Sequence, residues 1–275
     1  MEARLQRRVQ RYGWDLAAAD YDDFWQAPLA PVRDAMLASA APRPGERVLD
    51  VACGTGAATL PAAQAVGPQG SAVGVDVSQR MVDAARHAAM ARRVANASFE
   101  RMDGETLALA DSSFDVALCG FGLMYMPEPT QCLRELRRVL LPGGRIALAV
   151  WGERARCAWA AAFEVIEREV ASDVCPLFFH TGQGDNLARL CSEAGFAAVA
   201  QQRMAMRLDY ADGQQACDAV LVGGPVALAW SRLDAEARRR VQQSYLEAIA
   251  TWRQGEGYQL PAEGVVVSAI SPART

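Results

Sequence analysis

Between residues 46 and 151 the chain alternates short apolar runs with longer segments of helical periodicity, and no other feature constrains its fold as tightly. The runs at 46–52, 71–76, 97–101, 114–119 and 144–151 read as strands, with helices at about 56–66, 78–93 and 129–140 between them. Strands that alternate with helices are expected to form a parallel sheet, because each helix must cross over and cover one face. The predicted fold is α/β: a Rossmann-like, doubly wound, mostly parallel seven-stranded sheet.

The first strand raises the chemical question. "VLDVACGTGAAT", residues 48–59, carries Asp50 among Val48, Leu49 and Val51, then runs into Gly54-Thr55-Gly56. A core strand has no need of Asp50, and a surface loop has no need of the apolar residues before it. In open α/β sheets ligands bind beyond the carboxyl ends of the strands, where the strand order reverses. Gly54 and Gly56 let the backbone approach a ligand and adopt left-handed dihedrals. A helix beginning near Gly56 would offer free N–H groups. A dinucleotide site is disfavoured, since it wants Gly or Ala where Thr59 stands and would set a pyrophosphate beside Asp50. An ammonium-bearing ligand suits that carboxylate better.

The later segments add to this. Asp76, twenty positions after Gly56, closes the second strand and can accept from both hydroxyls of a ribose, which fits NAD equally well. "ERMDGETLAL" sets Asp103 just after the third strand, where it could accept from an adenine amino group. "SFDVALCGFGLMYMPEP" ends a strand in small residues and then turns aromatic, and "RRVLLPGGRIALAVW" is a helix, a Pro-Gly-Gly turn and a strand.

These five segments, in this order and spacing, resemble the class I S-adenosylmethionine (SAM)-dependent methyltransferases, in particular the small-molecule "type 11" branch related to the ubiquinone/menaquinone-biosynthesis C-methyltransferases. The resemblance covers residues 45 to 151 well and the rest loosely. It implies SAM as cofactor, with Asp50 and the backbone of Ala52, Gly54 and Gly56 around its methionine part. Asp76 would hold the ribose, with Val77 and Met81 on the adenine. Asp103, with Gly104 and Glu105 beside it, would read the adenine amino group, and Cys119 and Gly120 would lie under the sulfonium. Tyr21 would touch the cofactor's carboxylate. Ala52 departs from the Gly often found at its position.

The resemblance further implies methyl transfer to a small molecule, with an acceptor pocket built from the N-terminal segment and from late insertions. Trp25, Phe121, Met124 and Tyr125 are candidates for lining it, as are Trp151, Phe178, Phe179 and Trp230; such aromatic enrichment suits a planar or apolar acceptor. A general base is needed only where the acceptor is a poor nucleophile. Of the two histidines, His87 lies in a helix far from the motif loops, leaving His180 as the catalytic candidate. A non-catalytic SAM-binding regulatory module and an NAD(P)-dependent oxidoreductase are the alternatives.

Composition narrows the classes further. All 28 basic residues are arginine, which removes Schiff-base and lysine-base chemistry. A net charge of −4 argues against nucleic acid as partner. No apolar run approaches the roughly 18 residues of a membrane span, and "MEARLQRRVQRYGW" lacks a signal core, so a cytoplasmic protein is expected. The seven cysteines (53, 119, 132, 157, 175, 191 and 217) show no C-x-x-C pair and read as reduced thiols, and no metal is expected.

Outside the central region, residues 1–44 read as an N-terminal helical lid and 45–275 as the methyltransferase domain. In the first helix Leu5, Val9 and Tyr12 alternate with Arg4, Arg7, Arg8 and Arg11, and a lid is favoured there over a membrane-surface helix. Residues 21–46 read as a short helix, a Pro-bounded turn and a second helix. Insertions at about 152–195 and 210–255 are expected to be helical and to cap the acceptor side, with helices near 155–171, 185–194, 212–222, 225–230 and 234–253. Strands are expected at 196–208 and 264–270.

Overall fold

The structure is a computed structural model and describes residues 2–170 and 178–273. Its centre is a sheet in the order β3-β2-β1-β4-β5-β8-β6. The strands are β1 Arg47–Val51, β2 Ser71–Asp76, β3 Ala97–Arg101, β4 Phe114–Gly120, β5 Leu140–Trp151, β6 Ala197–Tyr210 and β8 Gly257–Ile270. The first five run parallel and β8 is antiparallel to both β5 and β6. A two-residue strand, β7 (Arg253–Gln254), pairs with β8. The strand order reverses between β1 and β4, so the crevice at their carboxyl ends is the switch point.

The pleat explains why the central strands are apolar throughout. Leu49, Val51, Ala117, Cys119, Ile146 and Leu148 join one core, while Val48, Val116, Leu118, Ala147 and Ala149 join a second across the sheet. Asp50 shares the face of Val48, toward α2 (Tyr21–Ala40) and α3 (Thr59–Val66). The helix α4 (Gln79–Ala91) covers β2 and β3 on that side, whereas α5 (Pro129–Val139) and α7 (Asn186–Glu193) cover the other. Between β6 and β8 lie α8 (Gly213–Leu221), α9 (Ala227–Ser231) and α10 (Ala235–Ala248).

Several segments differ from the sequence-based expectation. Residues 21–40 form one helix that runs through Pro28 and Pro31 rather than two helices joined by a turn. Trp25, Leu29, Val32, Met36 and Ala40 make a continuous buried stripe, and the prolines lie off it, where water can satisfy the carbonyls they free. The helix after β1 begins at Thr59 rather than near 56, because Gly54 (φ +54°) and Gly56 (φ +86°) hold non-helical backbone. In place of one helix over 155–171 stand two 3-10 turns and the short α6 (Ala161–Glu167). Strand β6 ends only two residues past the predicted 196–208, whereas β8 begins seven residues before the predicted 264–270, because it pairs with β6 along most of its length.

In the N-terminal helix α1 (Ala3–Ala17) the usual pattern is inverted: Gln6 and Gln10 are buried while Leu5, Tyr12 and Leu16 are exposed. Six cysteines are free and buried; Cys175 lies outside the described residues. Among the described residues no helix is long and apolar enough to cross a membrane.

Candidate functional site

Two adjoining cavities open at the switch point and share Tyr21, Ala52, Gly54, Gly120 and Phe121 in their walls. The main cavity is completed by Asp76, Val77, Met81, Asp103, Gly104 and Glu105 from the loops after β2 and β3. Gly122, Tyr125, Met126 and Pro127 after β4, and Arg7, Gln10 and Trp14 of α1, close it. The second cavity runs under α2, between Asp50, Cys53, Thr55 and Ala58 on one side and Trp25, Gln26, Leu29 and Arg33 on the other.

Backbone geometry shapes the shared wall. Gly54 is left-handed, and a Cβ built on it would meet nothing within 4 Å, so that side of the turn faces open space. Ala52 (φ +57°) and Phe121 (φ +55°) adopt the same conformation without being glycine, one at the end of β1 and one at the end of β4. Such strain tends to gather at functional sites. Gly122 is obligatory for a different reason: a Cβ there would stand 2.3 Å from the Ala52 Cβ.

Two carboxylates define the electrostatics. Asp50 is 1% exposed and accepts from Thr59 Oγ1 at 2.6 Å; burial pushes its carboxyl up to about 7. Asp76 is 7% exposed and accepts from Gly54 N–H at 2.9 Å and Ser78 N–H at 2.8 Å; burial raises it to about 6 against those hydrogen bonds. Neither has a cationic partner among the described residues. Burial raises the Tyr21 phenol too.

The N-terminal helices are fastened to all four loops around the main cavity. Arg7 pairs with Glu105, and with Asp103 at 3.3 Å, on the loop after β3. Ser78 Oγ, capping α4, donates to Asp15 at 2.6 Å, and Thr55 Oγ1 donates to Asp22 at 2.5 Å. Gln6 Nε2 donates to the Tyr125 carbonyl at 3.4 Å.

Most of the residues singled out in the sequence meet at this site; some do not. Glu105 reaches the cavity wall, but its carboxylate is engaged by Arg7 and by Glu128 N–H, so it holds the loop together. Gly56 and Cys119 line neither cavity: Gly56 is turned toward Phe99, and the pleat sends Cys119 to the opposite face from its neighbours' cavity wall. Met124 is fully buried in the core, and Trp151 backs Phe121 at 5.0 Å between ring centroids without reaching the cavity. Phe178 and Phe179 pack around Trp159 and line neither cavity, and Phe178 meets Tyr125 of the main cavity at 5.1 Å.

Trp230 packs under Arg238 at 5.2 Å and lines neither cavity. His180 is exposed on a turn, its carbonyl accepts from Asn186 Nδ2, and it too lines neither cavity. Sequence reasoning missed Arg7, Gln10, Trp14, Gly122 and Arg33. The first three do share one helical face, a spacing visible in the sequence.

Comparison with known proteins accords with this geometry. A family model described as a methyltransferase domain matches residues 42–195. Aklanonic acid methyltransferase DauC of Streptomyces sp. (strain C5) is 34% identical over 49% of this chain and 61% of that protein. The ubiquinone/menaquinone biosynthesis C-methyltransferase UbiE of Ectopseudomonas mendocina (strain ymp) is 42% identical over 38% of this chain and 41% of that protein. The YcgJ protein of Bacillus subtilis shares the fold with a TM-score of 0.63 at 19% identity, over 89% of this chain and all of that one.

The chain thus belongs to the methyltransferase-domain family, as a class I SAM-dependent member related to the ubiquinone/menaquinone C-methyltransferases. The family's cofactor is SAM. The matches span less than two thirds of each of these two curated relatives, 61% of one and 41% of the other.

Proposed function

We propose that this chain transfers the methyl group of SAM to a small planar or apolar acceptor. The observation that carries the reading is the pair of buried carboxylates, Asp50 and Asp76, set about a left-handed glycine turn without a cationic partner among the described residues. Buried anions without a counter-charge are costly, and a ligand bearing an ammonium and a sulfonium supplies what this site lacks.

In this reading Asp50 and the second cavity hold the methionine part, with Arg33 facing its carboxylate. Asp76 keeps free lone pairs for the ribose hydroxyls after accepting from Gly54 and Ser78. Val77, Met81 and Met102 enclose the adenine, while Asp103 accepts from its amino group alongside Arg7. SAM, when bound, supplies an activated methyl on sulfur.

The chain's own contribution is positioning and exclusion of water. Gly120, Phe121, Gly122 and Tyr125 form the wall against which an acceptor is oriented. The α1–α2 pair, residues 1–44, acts as a lid that keeps water from the site, and Phe178 and Trp159 of the late segment back the acceptor wall behind Tyr125. No base is required when the acceptor enters already deprotonated.

The test is calorimetric titration with SAM, S-adenosylhomocysteine and NADH, followed by transfer from labelled SAM to a panel of phenols and quinols. Micromolar binding of the first two without NADH, and label in an organic product, is expected. Binding without transfer to any acceptor would favour a regulatory module.

A further inference from the structure

We propose that the outward face of α1 docks on an anionic lipid bilayer. Five large hydrophobic side chains are exposed among the described residues, and three of them, Leu5 (40%), Tyr12 (47%) and Leu16 (42%), lie on this one helix. At about 100° per residue they fall within one narrow sector, in a line about 16 Å long. Arg4, Arg8 and Arg11 fill the adjoining sector. None of these three has a carboxylate partner among the described residues, and Arg11 lies over the Tyr12 ring at 4.6 Å.

The same three arginines, with Leu5, Glu2, Arg7 and Val77, line a groove beside the main cavity. Arg7 differs from them, being turned inward and neutralised by Glu105 and Asp103. Two acids lie nearby, Asp15, which accepts from Ser78 Oγ, and Glu2 at the groove, so the band of Arg4, Arg8 and Arg11 keeps an excess of positive charge. From α4, Arg80 adds a further exposed cation next to Asp15. The whole chain carries −4, so this band is a local feature and not part of a generally basic surface.

A cationic band beside an apolar line suits a helix lying in the headgroup layer: guanidinium groups reach phosphates while the apolar side chains enter the acyl boundary. An acidic protein would satisfy the arginines too. The apolar side chains, however, run along the helix instead of converging on one anchor point, which favours a surface over a partner's pocket. Docking does not depend on the methyl-transfer reading. If that reading holds, the inner face of the same helix brings the cavity to the membrane, where apolar acceptors partition.

The experiment is sedimentation of the full chain with vesicles of phosphatidylcholine alone or mixed with phosphatidylglycerol. Binding to the mixed vesicles only, weakened by salt, is expected. The triple variant Arg4→Gln/Arg8→Gln/Arg11→Gln should lower partitioning on the order of 100-fold, and Leu5→Ser/Tyr12→Ser/Leu16→Ser should lower it as well. Unchanged SAM titration in both variants shows that they fold and separates this test from the cofactor assignment. If a multiple variant does not fold, the single reversal Arg8→Glu at an exposed position carries the test. Absence of binding to anionic vesicles, equal binding to neutral ones, or arginine variants that bind as well as the parent would overturn the proposal. Retention of polyglutamate without vesicle binding would overturn it in favour of an acidic protein partner.

Discussion

Thr59 Oγ1 donates to Asp50 Oδ2 at 2.6 Å, and both side chains are buried. The threonine that breaks the dinucleotide pattern thus has a positive role: it holds the carboxylate at the end of β1. Asn in place of Asp50 would still accept from Thr59 but would carry no buried charge. Asp50→Asn is therefore expected to raise the thermal midpoint of the ligand-free protein at pH 8. Its SAM affinity should fall by about 100-fold, the cost of leaving a buried charge without its partner being about 3 kcal/mol. Scanning calorimetry and titration check the two halves, and undiminished SAM binding would remove Asp50 from the site.

The pH dependence follows from the same two carboxylates. Burial raises Asp50 from 3.8 to about 7 and Asp76 from 3.8 to about 6. The folded state then holds more protons than the unfolded state between those limits, so ligand-free stability falls as pH rises through that window. A cationic ligand prefers the ionised carboxylates, so SAM affinity should move the other way, climbing from pH 5 to a plateau near pH 8. Isothermal titrations across that range test it; a flat affinity profile would mean that neither group changes protonation on binding.

Much of this site was readable in the chain, and the unreadable parts share a cause. Asp50, Gly54, Asp76 and Asp103 sit at strand ends that apolar runs locate directly, so local pattern sufficed. The wall contributed by α1 was not visible, because Arg7, Gln10 and Trp14 are polar or mixed in character and their burial depends on a distant loop. In α1 Leu5, Tyr12 and Leu16 stay outside, so the position of the large apolar residues does not locate the buried face. Pro28 and Pro31 suggested a break that packing of Trp25, Leu29, Val32 and Met36 overrides. Aromatic composition drew Trp230 and Phe179 toward the pocket, whereas aromatic side chains fill cores as readily as they line ligands.

Arg7 tests the lid. Its guanidinium is the cation facing the buried Glu105 carboxylate, whose other oxygen accepts from Glu128 N–H. Removing it by Arg7→Ala leaves Glu105 buried without a counter-charge, at a cost of about 3 kcal/mol. Chemical denaturation should show that loss, and stopped-flow should show faster SAM dissociation. Glu105→Gln in the same background should restore part of the stability without restoring the slow dissociation. If Arg7→Ala releases SAM at the parental rate, α1 does not gate the cofactor.

Ala52 and Gly122 form a pair whose coupling can be measured. Ala52 is left-handed at φ +57°, and a methyl on Gly122 would stand 2.3 Å from its Cβ. Gly122→Ala must push the end of β1 away from the loop after β4, an overpacking expected to cost about 3 kcal/mol and most of the SAM affinity. Ala52→Gly relieves the left-handed strain but adds chain entropy to the unfolded state, so it should lie within about 1 kcal/mol of the parent. Combined, the two should be far better than additive, because Ala52→Gly removes the group that the new methyl strikes. A double-mutant cycle by denaturation and SAM titration measures this. Strict additivity would mean that the clash is with Cys119, whose sulfur lies 3.1 Å from the same position, and that Cys119→Ala is the substitution that rescues.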